Sequence, residues 1–209
     1  MGWGIKTGLN EPPAIIEARM DKSNGYEAIA QDFMRARRAH IGPDVVRGWA
    51  REFPPGAEVL ELACGHGVVS QVLVDQGLRL YAIDASPTLL AAFRERFPEV
   101  ETECAAAEDS SYFGRTFDGV IAWGLMFLLP EETQRTVLAK MARALKPGGR
   151  LLFTAPRGAV TWMDSLTGLE SRSLSAEKYE TLLRELGLDI EPGQMDVGEN
   201  YYYVARKSG

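Results

Sequence analysis

An α/β fold with a doubly wound, parallel sheet is predicted by three observations. Strand-like and helix-like patterns alternate from Glu58 to Ala155, the first strand runs into a loop of small residues, and the second strand ends in a carboxylate. The elements read in order. Residues 1–23 carry little periodicity and the Pro12-Pro13 pair, and are expected to form an irregular arm with a turn of helix around Ala14–Arg19. From Asn24 the apolar spacing turns helical and sets Tyr26, Ile29, Ala30, Phe33 and Arg37 on one face. Pro43 opens a second helix to Phe53, because the fixed φ and missing N–H of proline suit a first helical turn. Pro54-Pro55-Gly56 then breaks the chain before the first strand. Strands are expected at Glu58–Ala63, Arg79–Ile83, Val100–Ala105, Phe117–Ala122 and Arg150–Ala155, and helices at Val68–Gln76, Pro87–Phe97 and Glu131–Leu145. Pro156–Ser173 breaks the rhythm and reads as a long loop of the kind that forms lids; its Trp162, Met163 and Leu166 are apolar. Ser175 caps a last helix. The strands Gly187–Met195 and Tyr201–Lys207 follow as a hairpin turning at Gly198-Glu199-Asn200.

Composition narrows the function. With 209 residues, 45% of them hydrophobic, the chain has enough apolar material for one domain with a sizeable core. The expected organisation is a helical cover over residues 1–53 and a ligand-binding domain over 54–209, in one compact unit. A net charge of −6 argues against a nucleic-acid partner, which needs a basic surface. No apolar run approaches the roughly 18 residues of a membrane helix. The N-terminal stretch lacks the basic-then-apolar pattern of a secretion leader, so a cytoplasmic location is expected. Cys64 and Cys104 sit in apolar surroundings and read as buried free thiols. His40 and His66 have no helical i,i+4 partner, so no metal site is expected.

The chemistry concentrates in VLELACGHG, Val59 to Gly67. Gly65 and Gly67 allow a ligand close to the backbone, and Asp84 ends the next strand with a carboxylate suited to ribose hydroxyls or to capping the helix that follows. A dinucleotide fingerprint wants a third glycine at position 70, which is Ser70. Glu61 places a carboxylate where a pyrophosphate would be repelled, which suits a cationic nucleoside instead.

Over roughly Val45 to Arg206 the sequence resembles the class I S-adenosylmethionine-dependent methyltransferases. VLELACGHG resembles their glycine motif, with Ala63 in place of its first glycine; YAID resembles the motif whose terminal acid binds ribose, a role that passes to Asp84. AAAEDSSYF resembles the segment facing the adenine, FDGVIAWGLMFLL the fourth strand with its cofactor-facing turn, and LKPGGRLLFTAP the fifth strand. The resemblance implies a seven-stranded, mostly parallel sheet whose last strand is antiparallel, under an N-terminal helical cover. It implies S-adenosylmethionine as cofactor, S-adenosylhomocysteine as product, and a small-molecule methyl acceptor. Cofactor contacts then fall on Glu61, Ala63, Cys64, Gly65 and Gly67, on Asp84 and Ala85, on Ala107, Glu108 and Asp109, and on Ala122 and Trp123. Of the acidic pair, the backbone at Glu108 and the side chain of Asp109 are assigned to the adenine. Tyr26, and with less reason Arg37, would reach the cofactor from the cover. Alanine at position 63 is expected to allow close approach provided that its φ is negative. Trp123 is either a core residue or a wall of the site, while His66 and Cys64 read as loop-fillers rather than as catalytic groups.

No residue is assigned as a base. Asp164, Glu170 and His40 are conceivable but poorly placed, which points to an acceptor that is already nucleophilic. Two other classes share the architecture, a nicotinamide-dependent oxidoreductase and a non-catalytic cofactor-binding module.

Overall fold

The structure, a computed structural model, describes residues 21–36 and 42–209. Expectations for Ala14–Arg19, Arg37 and His40 lie outside the described residues. Seven strands form one sheet in the order β3 (Glu101–Cys104), β2 (Arg79–Asp84), β1 (Glu58–Leu62), β4 (Phe117–Ala122), β5 (Leu145–Thr154), β9 (Tyr201–Lys207), β8 (Leu188–Met195). The pairs from β3 to β5 are parallel, whereas β9 runs antiparallel between β5 and β8.

The near-continuous apolar runs of the central strands follow from burial on both faces. Successive side chains alternate between two cores. Leu60, Leu62, Ile83 and Val120 pack with Val137, Leu138 and Met141 of α5 (Glu131–Ala144) and with Tyr179 and Leu183 of α6 (Ala176–Glu185). Val59, Leu80, Ala82 and Ile121 face Val46 and Trp49 of α2 (Pro43–Ala50), Leu73 of α3 (Ser70–Asp75), and Leu90 and Phe93 of α4 (Pro87–Arg96). Each fully buried valine, leucine, isoleucine, methionine or phenylalanine among them stabilises the fold by roughly 1.5–3 kcal/mol. Ser86 caps α4, its Oγ accepting from Leu89 N at 3.1 Å.

Three segments differ from expectation. The helix read from Asn24 begins only at α1 (Ala30–Ala36), because Asn24 and Gly25 take left-handed φ values of 54° and 84°. Asp21 fixes that turn by accepting from Ser23 N and Gly25 N, and Ser23 Oγ accepts from Glu27 N. The long loop read at Pro156–Ser173 is instead an antiparallel hairpin of β6 (Ala159–Met163) and β7 (Glu170–Leu174). Its turn is organised by Asp164 Oδ1, which accepts from Leu166 N and Thr167 N. Finally, Cys104 is exposed rather than buried, since it lies on the edge strand β3; Cys64 is buried. Among the described residues no helix is long and apolar enough to cross a membrane.

Candidate functional site

A cavity opens at the carboxyl ends of the parallel strands, where the chain turns to opposite sides of β1, the place at which open α/β sheets hold ligands. Its floor comes from the residues after each strand: Ala63, Cys64, Gly65 and His66 after β1, Asp84 and Ala85 at β2, Ala107 and Glu108 after β3, Trp123 after β4. Tyr26 and Phe33 cover it, their rings edge to face at 5.1 Å. Most of the predicted residues therefore come together. Glu61, Gly67, Asp109 and Ala122 do not line the cavity.

Asp84 organises the loop. It is 7% exposed, and its two oxygens accept from Ser86 N at 2.8 Å and Gly65 N at 2.7 Å. Burial raises its carboxyl above the ordinary value, with those two bonds opposing. Glu61 is buried one strand away and accepts from Ser70 Oγ at 2.6 Å. Burial pushes it up to about 8, the Ser70 bond opposing and the Asp84 charge adding. The serine that replaces a third glycine is thus the partner of the carboxylate.

The loop backbone is left-handed at three positions: Ala63 at φ 54°, Gly65 at 56° and Gly67 at 88°. Ala63 does not take the negative φ that close approach at this position was expected to require, because the chain reverses there to bring Gly65 N onto Asp84. Gly67 serves packing: a Cβ there would overlap the Phe97 ring. The amides of Cys64, Gly65 and Gly67 donate to Ile83 O, Asp84 Oδ2 and Cys64 O, so they form no open nest for a phosphate. Burial raises the Cys64 thiol well above its ordinary range, which makes it a poor nucleophile.

Beyond β3, Glu108 lines the cavity while Asp109 faces outward, and Lys22 lies 3.8 Å and 3.4 Å from their carboxylates. The side-chain role expected of Asp109 therefore has no support in its position. Lys140 Nζ donates to the carbonyls of Ala107, Glu108 and Ser110 and fixes this loop. On the other side Trp123 Nε1 donates to Tyr202 OH at 2.8 Å, and a Cβ on Gly42 would come within 2.6 Å of the Trp123 ring. Asp164 is committed to its own turn and Glu170 pairs with Arg172; neither lines the cavity.

Sequence reasoning missed Lys140, Asn200 and Glu27. Asn200 lines the cavity just before β9. Glu27 ties the cover to α4, its carboxylate accepting from Ser86 Oγ, from Thr88 Oγ1 at 2.6 Å and from Thr88 N at 3.1 Å. Each lies far in sequence from the glycine motif, and a single polar residue in a loop or on a helix carries no local signal.

Residues 59–149 match the family model described as a methyltransferase domain. The motifs at the strand ends and the seven-stranded topology are similar to those of class I S-adenosylmethionine-dependent methyltransferases. It is 33% identical over 99 residues to a demethylmenaquinone methyltransferase of Renibacterium salmoninarum, covering 47% of this chain and 40% of that protein. It is 31% identical over 127 residues to a ubiquinone biosynthesis O-methyltransferase of Xanthomonas axonopodis pv. citri, covering 58% and 52%. The chain thus spans about half the length of the curated relatives it matches. The fold is shared with the magnesium protoporphyrin IX methyltransferase from Synechocystis PCC 6803 crystallised with bound SAM, at TM-score 0.73, 16% identity, and coverage of 92% of this chain and 99% of that one.

Proposed function

We propose that this protein is a methyltransferase that uses S-adenosylmethionine to methylate a small molecule. The observation that carries the reading is the buried carboxyl group of Asp84 at a strand-end cavity whose Gly65 and Gly67 amides are already bonded within the protein. With those amides taken and a carboxyl group facing the cavity, the site disfavours a pyrophosphate and suits the ribose of a cationic nucleoside. Lys22 is the one lysine or arginine among the described lining residues, and it faces the Glu108–Asp109 pair. In this reading Asp84 holds the ribose hydroxyls, Ala107 and Glu108 flank the adenine, and the Ala63–Gly65 backbone lies against the amino-acid portion. Tyr26 and Trp123 wall the reacting end.

The cofactor supplies a sulfonium-activated methyl group. The chain's own contribution is alignment and exclusion of water by the cover at Tyr26 and Phe33. Holding two reactants in line is worth roughly 7–11 kcal/mol of barrier, so no dedicated base is required. A small acceptor is supported by the acidic net charge of −6.

Calorimetric titration with S-adenosylmethionine, S-adenosylhomocysteine and NAD tests the reading. Both sulfur compounds are expected to bind and NAD is not. Asp84→Ala is expected to weaken S-adenosylhomocysteine about tenfold or more, equivalent to about 1.4 kcal/mol. Binding of NAD with no binding of the sulfur compounds overturns the proposal.

A further inference from the structure

The cavity has two halves. β3, β2 and β1 supply Glu108, Asp84 and Gly65 on one side; β4, β5 and the start of β9 supply Trp123, Thr154 and Asn200 on the other. Four strand steps separate β2 from β9, or about 19 Å at roughly 4.8 Å per step. An adenosyl group held at Asp84 and Glu108 leaves the Trp123–Asn200 half to a second molecule.

The Asn200 side chain has a fixed orientation. Its Nδ2 donates to both oxygens of Asp196, at 3.0 Å and 2.9 Å. Asp196 also accepts from Tyr202 OH at 2.7 Å and from the amides of Gly198 and Asn200 at 2.8 Å and 3.0 Å. Although burial raises the Asp196 carboxyl, these bonds hold it below its ordinary value, so it stays an ionised, acceptor-only partner. The NH2 of Asn200 must therefore face Asp196, and its carbonyl Oδ1 is left over. Among the described residues nothing donates to Oδ1, although Asn200 lines the cavity. The same Asp196 carboxylate steadies Trp123 through Tyr202. Around them the wall is apolar, with Trp123, Phe127 and Leu128, and Phe127 is backed by Trp162 at 5.7 Å.

We propose that Asn200 Oδ1 is the polar contact for the methyl acceptor, which is an uncharged small molecule with a flat apolar body and an O–H or N–H group. Asp196 is the positioning residue that aims Oδ1 into the cavity. This assignment rests on the methyltransferase reading above.

The test uses the full chain saturated with S-adenosylhomocysteine, titrated by ligand-observed NMR with two matched pairs: 1-naphthol against 1-methoxynaphthalene, and indole against N-methylindole. In the unmodified protein the O–H or N–H member is expected to bind about five- to tenfold more tightly, the scale of one hydrogen bond. Asn200→Leu and Asn200→Ala are each expected to reduce that advantage to less than about twofold, a change within the weakest hydrogen bonds. Their affinity for S-adenosylhomocysteine, measured alongside, reports an intact fold. Equal affinity within both pairs, no binding by any of the four probes, or an advantage that survives in the variants overturns the proposal. Failure of the unmodified protein to bind S-adenosylhomocysteine would instead overturn the methyltransferase reading.

Discussion

At φ 54°, Ala63 holds a backbone conformation that glycine adopts freely and that costs an alanine roughly 1–2 kcal/mol. The cost is accepted because the reversal at this position delivers Gly65 N to Asp84. Ala63→Gly is accordingly expected to stabilise the protein by about 1 kcal/mol after the greater entropy of glycine in the unfolded chain is set against the relieved strain. Chemical denaturation measures it, and a loss of stability would show that the turn is not strained. The residue identities of this loop were legible in the sequence, but the sign of φ at position 63 was not. Alanine is compatible with either sign until the partner of Gly65 N is known. The same holds for Glu61 and Ser70: each was noticed for what it excluded, and only their 2.6 Å bond shows why they occur together.

The strands β1, β2, β4 and β5 and the helices beside them were readable because burial on two faces writes long apolar runs into the sequence. The elements that failed to read are those without such burial. In the β6–β7 hairpin Val160 and Met163 are exposed, so period-two alternation has no apolar face to reveal. In the N-terminal cover the helix start is displaced by the Asp21–Ser23–Gly25 turn. Glu27 anchors the cover, and the Ser86 and Thr88 bonds outweigh the larger opposing effect of burial to hold its carboxyl below the ordinary value. A depressed carboxyl contributes stability above its unfolded pKa and loses it as pH falls through the folded one. Docking of the cover is therefore expected to weaken below about pH 4. Glu27→Ala should raise hydrogen exchange in residues 23–36 at neutral pH, with little change in the global melting temperature. Unchanged exchange would show that Tyr26 and Phe33 hold the cover without Glu27.

Over the whole molecule, Glu61 sets a pH dependence of the opposite sign. Its folded value near 8 lies above its ordinary 4.5, so between these limits the folded protein binds a proton that the unfolded chain has released. The contribution of this group to stability consequently declines as pH rises through the window and levels off above it. Glu61→Gln keeps an acceptor for Ser70 and removes the titration. Thermal melts from about pH 5 to about pH 9 should show the variant gaining on the parent as pH rises; parallel curves would mean that Glu61 is ionised in the fold. The order of the sheet carries a different consequence. Among the described residues β8 pairs only with β9, and β9 enters beside β5, so the last two strands join the sheet as a hairpin. Until they do, Leu152 and Phe153 lie on an open strand edge that the same hairpin from another copy fits equally well. Refolding at high protein concentration is therefore expected to yield some hairpin-exchanged dimers, each copy completing the other's sheet, detectable by size-exclusion chromatography.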